Sequence, residues 1–233
     1  MDKRVRYFIG LDTETCNGLP KQGGGVDLSQ SLVYDLGWVV TDKRGKIYLS
    51  RSYVVYDTFI GMSDVMRSAY YAKKIPQYWK DIKNGTRTLA TLATIRKQLL
   101  DDMKEYNAYT VFAHNASFDH DALDNTIRYC TKSKCRYFLP YKTIWYCTMK
   151  MAKSTICKQK TYIKFCKANG YLTAHKTPQV RATAEILYRY ISRNNDFIES
   201  HTGLEDVLIE TQIFAKCYAQ HKKMNKLLFA NQA

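Results

Sequence analysis

Residues 5 to 15, Val5-Arg6-Tyr7-Phe8-Ile9-Gly10-Leu11-Asp12-Thr13-Glu14-Thr15, constrain this chain more than any other stretch. The apolar run from Tyr7 to Leu11 has the length and composition of a buried strand. Two carboxylates stand at its C-terminal end with one residue between them. Side chains at i and i+2 of a strand point to the same side of its sheet. Asp12 and Glu14 are therefore expected to project together from the centre of a sheet. Burying two like charges costs on the order of several kcal/mol each unless something neutralises them. A divalent cation does so, and Mg²⁺ and Mn²⁺ prefer oxygen ligands. The plain alternative is a solvated strand-end turn, where Asp and Thr are common.

The 233 residues suffice for one large α/β domain with a sizeable core. No Pro/Gly/Ser-rich linker divides them. A single domain is expected over residues 1–220, with a tail over residues 221–233. The net charge of +15 calls for a polyanionic partner, either nucleic acid or an anionic surface. No apolar run reaches the length of about 18 residues that a membrane span needs. The N-terminus has no signal-peptide core. Seven cysteines do not suggest a disulfide framework, so a reducing, cytoplasmic setting is the expectation. Cys130 and Cys135 make no convincing zinc knuckle.

Along the chain, Gly18 to Gly25 reads as a flexible loop. Leu32–Val40 and Ile47–Val55 read as an antiparallel hairpin around the turn Asp42-Lys43-Arg44-Gly45. Residues 57–88 suggest short helices that overhang a site, or a surface excursion. Leu92, Ile95, Leu99 and Met103 give Leu89–Met103 a helical period. Tyr109–His114 is a strand, and Ser117 is the expected N-cap of a helix running to about Cys130. Asp119 then falls in the first turn, where the helix dipole favours a carboxylate. Thr143–Cys147 is a further strand, and Lys160–Asn169 is a helix ending at Gly170.

Residues 125–184 contain no Asp or Glu, yet carry thirteen Lys and Arg interleaved with Tyr129, Tyr137, Phe138, Tyr141, Trp145, Tyr146 and Tyr162. Phosphate contact with base stacking is the functional reading of such a basic segment. An anionic membrane surface fits less well, because the cations follow no amphipathic period.

Ala182–Ile191 reads as a helix broken by Asn194-Asn195-Asp196. Thr202 and Glu205 then match a capping box, and Leu204, Val207, Leu208, Phe214 and Ala215 supply a core-facing side. His201 lies on the entering loop and Asp206 early in the helix, so both can reach one site. Taken alone, His201 is an ordinary exposed loop histidine.

With these residues in hand, the chain resembles the DEDDh exonuclease family, which includes the proofreading (epsilon-like) subunits of bacterial replicative polymerases. The resemblance rests on Asp12-Thr13-Glu14-Thr15, on His114-Asn115-Ala116-Ser117-Phe118-Asp119, and on His201 followed after four residues by Asp206. The sister group with tyrosine in place of histidine would need Tyr at 202, where this chain has Thr. The resemblance implies a ribonuclease H-like α/β fold, a central five-stranded mixed sheet flanked by helices on both faces. It implies two divalent cations, Mg²⁺ or Mn²⁺, held by Asp12, Glu14, Asp119 and Asp206. His201 would be the general base, and Thr13, Thr15, Asn115 and Phe118 would hold the terminal nucleotide. The implied activity is 3′–5′ hydrolysis of DNA to nucleoside 5′-monophosphates. An RNA-trimming exonuclease and a non-catalytic nucleic-acid-binding or polymerase-docking module are the alternatives. A DNA polymerase is the partner a proofreading role would require, and the C-terminal tail is one place for it to dock.

Overall fold

The alternation along β1 (Tyr7–Cys16) sets the architecture. Ile9 and Leu11 are fully buried in one core cluster, while Phe8 enters a second on the opposite face. A strand buried on both sides needs helices on both faces of its sheet. This computed structural model describes residues 2, 4–16, 19–20, 26–27, 29–67, 69 and 71–230.

In chain order, β1 is followed by a two-residue pair, β2 (Leu19–Pro20) and β3 (Val26–Asp27), and by the long strands β4 (Leu32–Asp42) and β5 (Ile47–Val55). Next come the short helices α1 (Tyr56–Phe59) and α2 (Ser63–Arg67), a 3₁₀ turn at Ala72–Lys74, and α3 (Ile75–Lys83). Then follow β6 (Thr88–Ala90), α4 (Leu92–Glu105), β7 (Thr110–Ala113), α5 (Ser117–Thr131) and β8 (Ile144–Cys147). The chain continues through α6 (Thr148–Ser154), α7 (Lys160–Ala168), α8 (Ala184–Ser192) and α9 (Gly203–Tyr218). The sheet order is β6-β5-β4-β1-β7-β8. β4 runs antiparallel to both β1 and β5, and the other pairings are parallel. One face packs on α4 and α5 through Leu92, Ile95, Leu99, Leu123 and Ile127. The other packs on α9 and its neighbours through Leu187, Ile213 and Phe214.

The sheet is mixed and covered on both faces as expected, but it has six strands rather than five. The extra strand, β6, is three residues long and pairs with the edge of β5. Its residues fall where the helical period suggested a helix from Leu89. The helix instead begins at Leu92, and Thr91 caps it by accepting from Thr94 N (3.3 Å). The Asp42–Gly45 turn forms as expected: Asp42 Oδ1 accepts from Arg44 N (2.8 Å), and Gly45 sits at φ +81°. The expected loop over Gly18 to Gly25 lies largely outside the described residues.

β1 extends to Cys16, so Asp12 and Glu14 lie within the strand and not past its end. A bulge follows between Glu14 and Thr15. α5 begins at Ser117 itself; Ala116 takes the N-cap position, and no side chain caps it. Lys226–Leu228 of the C-terminal segment pairs with the outer edge of β8. Cys147 N donates to Lys226 O (2.8 Å), and Leu228 N donates to Trp145 O (2.9 Å). All seven cysteines are free thiols, and among the described residues no helix is long and apolar enough to cross a membrane.

Candidate active site

Parity along β1 decides which neighbour each polar residue meets. Asp12 and Glu14 share the parity of Phe8 and point toward the face covered by α9. Thr13 shares the parity of Ile9 and points toward α5. There Asp119, 1% exposed in the first turn of α5, accepts from Thr13 N (3.1 Å) and from Thr13 Oγ1 (2.9 Å).

α9 can deliver its first turns to β1 because its N-terminus meets β4 backbone to backbone. A Cβ on Gly37 would collide with Leu204 N and Gly203 C, and one on Gly203 would lie 2.6 Å from Gly37 N and 3.0 Å from Asp12 O. Both positions therefore need glycine for the close approach. The expected capping box is only partly formed. Thr202 does occupy the N-cap, but its Oγ1 donates to Glu205 Oε2 (2.7 Å) and receives no backbone N–H. The cap comes from across the sheet: Asp35 Oδ2, fully buried on β4, accepts from Gly203 N (2.9 Å) and from Tyr78 OH (2.6 Å). Arg87 binds the same carboxylate (3.2 Å) and reaches Glu205 (2.7 Å) and Asp81 (3.1 Å).

Asp206 in turn fastens the loop before α9. It accepts from Ser200 Oγ (3.0 Å) and from Thr202 N (3.1 Å). That places His201, at φ +52°, beside the cluster. Ligand atoms of Glu14, His201 and Asp206 all lie within 4.8 Å of one another. The His201 ring stacks on Tyr71 with centroids 4.5 Å apart, and Lys74 Nζ donates to the carbonyls of Ser200 and His201. The segment before α3 thus reaches over the site, as one reading of residues 57–88 anticipated.

These residues surround a cleft of about 630 Å³, with Asp12, Glu14, Asp119, His201 and Asp206 all in its wall. Thr13, Thr15, Asn115 and Phe118 line it too. Asn115 adopts a left-handed backbone at φ +58°, which turns the chain from β7 into α5.

Two acids that sequence reasoning did not single out belong to the cleft. Glu210 is 2% exposed, one helical turn beyond Asp206, and accepts from His114 N (3.1 Å). The i, i+4 rule applied from Asp206 is the signal that finds it. Glu199, half-buried, also lines the cleft. His114, first residue of the second motif, is structural. Its Nε2 lies 2.7 Å from Ala182 O and must donate to it, so Nδ1 accepts from Thr148 Oγ1 (2.9 Å). Burial holds its pKa down to about 4.

Burial dominates the electrostatics of the cluster. It raises Asp12 and Glu210 well above the usual carboxylate range, with the neighbouring carboxylates adding to the effect. Glu14 is raised to about 9 by burial, then by Asp206 and Asp35. Asp119 rises to about 7 against its bonds from Thr13, and Asp206 to about 6 against its bonds from Ser200 and Thr202. Such a set cannot be fully ionised at neutral pH without added positive charge. His201 shifts the other way, downward, through burial and then the Lys74 charge. A crowded, oxygen-only carboxylate set of this kind suits a hard divalent cation.

No protein-family model matches the chain, and no curated protein matches it. Solved structures do share its fold. The nuclease domain of 3′hExo, described as a DEDDh family member bound to rAMP, aligns with TM-score 0.55 and 14% identity over 98% of this chain and 100% of that one. A 3′-exonuclease described in 3′-end-specific recognition of a histone mRNA stem-loop aligns at 0.57 and 14%, over 97% and 88%. S. pombe Pop2p, in a form with Mg²⁺ and Mn²⁺ bound, aligns at 0.51 and 12%, over 94% and 85%. The likeness establishes the ribonuclease H-like fold over nearly the whole chain.

Proposed function

We propose that this chain is a metal-dependent 3′–5′ exonuclease of the DEDDh type, releasing nucleoside 5′-monophosphates from the 3′ end of a nucleic-acid strand. The observation that carries the reading is the convergence of Asp12, Glu14, Asp119, His201 and Asp206 on one cleft, from β1, α5, α9 and the loop before it. Two divalent cations, Mg²⁺ or Mn²⁺, would be held by Asp12, Glu14, Asp119 and Asp206. When bound, they supply an activated water and positive charge for the leaving 3′ oxygen.

The chain's own groups then divide the remaining work. His201 takes the proton from the attacking water, and its lowered pKa keeps it neutral, hence basic, at neutral pH. Asp206 fixes the loop that carries His201 through Ser200 and Thr202. Thr13 holds Asp119 in place. Thr15, Asn115 and Phe118, with the backbone near Thr13, receive the terminal nucleotide, and Phe118 offers a ring for stacking.

DNA is the first substrate proposed, with proofreading beside a polymerase as its finer form, resting on the motif resemblance alone. RNA is the second reading, favoured by neighbours described with rAMP and with a histone mRNA stem-loop. End-labelled single strands of DNA and RNA, incubated with Mg²⁺ or EDTA and resolved on a sequencing gel, test both. A Mg²⁺-dependent ladder shortening from the 3′ end is expected, and Asp12→Ala should abolish it. Strands that are bound but stay intact under Mg²⁺ and Mn²⁺ would make the chain a binding module instead.

A further inference from the structure

α5 lends residues to two cavities. Phe118 and Asp119 face the catalytic cleft, while His120, Leu123 and Asp124 wall a second cavity of about 620 Å³. His120 follows Asp119 directly in the first turn of α5, so the second cavity begins beside the cleft and extends along the helix to Thr143 and Ile144 at the start of β8. The second cavity is built from rings. Trp145 and Phe229 each meet His120 edge-on, at 5.4 and 5.0 Å, and Tyr141 stands at the mouth, 86% exposed and 6.4 Å from Tyr137.

The surround is basic. Lys142 lines the cavity, the Arg128 guanidinium lies 5.4 Å from the Tyr137 ring centre, and Arg96 donates to Phe138 O (2.6 Å) near Arg136. Asp124, the acid in the wall, is 4% exposed and already satisfied by Arg128 (3.1 Å) and Phe138 N (2.8 Å). Exposed Asp121 lies beside His120 Nδ1 (2.9 Å). Most of this cavity belongs to the 60-residue stretch without an acid.

We infer that this aromatic cavity is a nucleobase-binding subsite for the substrate strand, taking a base a few nucleotides upstream of the 3′ end held in the catalytic cleft. The inference rests on the exonuclease reading for its substrate. Ring faces beside cations are what an unpaired base and its phosphate require. Neither the proposed metal set nor the terminal-nucleotide contacts use this cavity.

The test uses the full chain, its Tyr141→Ala and Tyr141→Phe variants, and single strands of two and eight nucleotides. Binding is read by fluorescence anisotropy with Ca²⁺, and hydrolysis at limiting substrate with Mg²⁺. Tyr141→Ala should bind and cleave the eight-mer about tenfold less well. The dinucleotide should be unaffected, and Tyr141→Phe should match the parent. Full retention of eight-mer binding and cleavage by Tyr141→Ala would overturn the subsite and leave an apolar peptide as the better occupant. Equal losses on both lengths would overturn it too, by placing the effect in the cleft. If the parent hydrolyses neither strand, the exonuclease reading fails, and the length dependence of anisotropy alone decides the subsite. Failure of the parent to bind the eight-mer would sink both.

Discussion

Glu210 shows how one helical turn changes the chemistry of a site. Its carboxyl faces Asp119 and Asp206, and burial, then those neighbouring charges, raise its pKa well above the usual carboxylate range. Glu210→Gln keeps an oxygen to accept from His114 N and removes a charge that the cluster resists. We expect folding in EDTA at pH 8 to be as stable as the parent or more so, measured by thermal melting; a clear loss would mean that Glu210 is ionised there. His201→Ala should lower turnover by about 10²-fold with strand affinity nearly unchanged. Affinity falling in step with rate would make His201 a binding group. His114→Ala should act on folding, by about 1–3 kcal/mol, because Ala182 O loses its donor in a buried setting. On the proposed reading, the three histidine-or-acid positions would separate into base, carboxyl neighbour and structural tie, a distinction their spacing alone does not carry.

At the scale of elements, the seat of α9 matters most. Gly37 and Gly203 let the helix approach β4, and Asp35 with Arg87 fixes its first N–H. Arg87→Ala would strand Asp35, which is fully buried, and should cost about 3–5 kcal/mol in denaturant melts. Turnover should fall as well, since Asp206 and His201 ride on that helix end. A stable, fully active variant would show that the ion-pair network is dispensable. Much of this layout is legible in the sequence. The turn at Asp42–Gly45, the hairpin and the end of α7 at Gly170 follow from local residue chemistry. β6 was hidden because three residues carry too little period to compete with the helical pattern that follows them. Thr202 is the N-cap of α9 as its spacing predicts, but the acceptor for the helix's first N–H is not legible locally: Asp35 lies 168 residues from Gly203, and no local rule reaches that far.

For the whole molecule, pH and metal should be linked to stability. A carboxyl whose folded pKa is raised holds a proton that the unfolded chain releases. Its contribution is complete below about pH 4 and is lost as pH rises through the folded value. For Asp119 and Glu14 that means loss through about 7 and about 9. His114, held near 4, works oppositely, but its contribution is lost only as pH drops below about 6.5, so pH 7–9 belongs to the carboxyls. In EDTA the melting temperature should fall between pH 7 and pH 9, and Mg²⁺ should flatten that fall. A melting temperature that climbs over this range in EDTA would contradict the buried-acid account. The excess of 36 Lys and Arg over 21 Asp and Glu adds a second linkage: strand binding should weaken steeply as salt is raised.

The pairing of Lys226–Leu228 with β8 has a consequence for solubility. Without it, β8 would present a row of open backbone donors and acceptors, the kind of border along which sheets of separate molecules join. The short segment works as a selvedge, closing the weave on that side, while three-residue β6 leaves little to grip on the other. A chain shortened to residue 224 should therefore fold its carboxylate-lined cleft and yet self-associate, visible as rising light scatter with concentration.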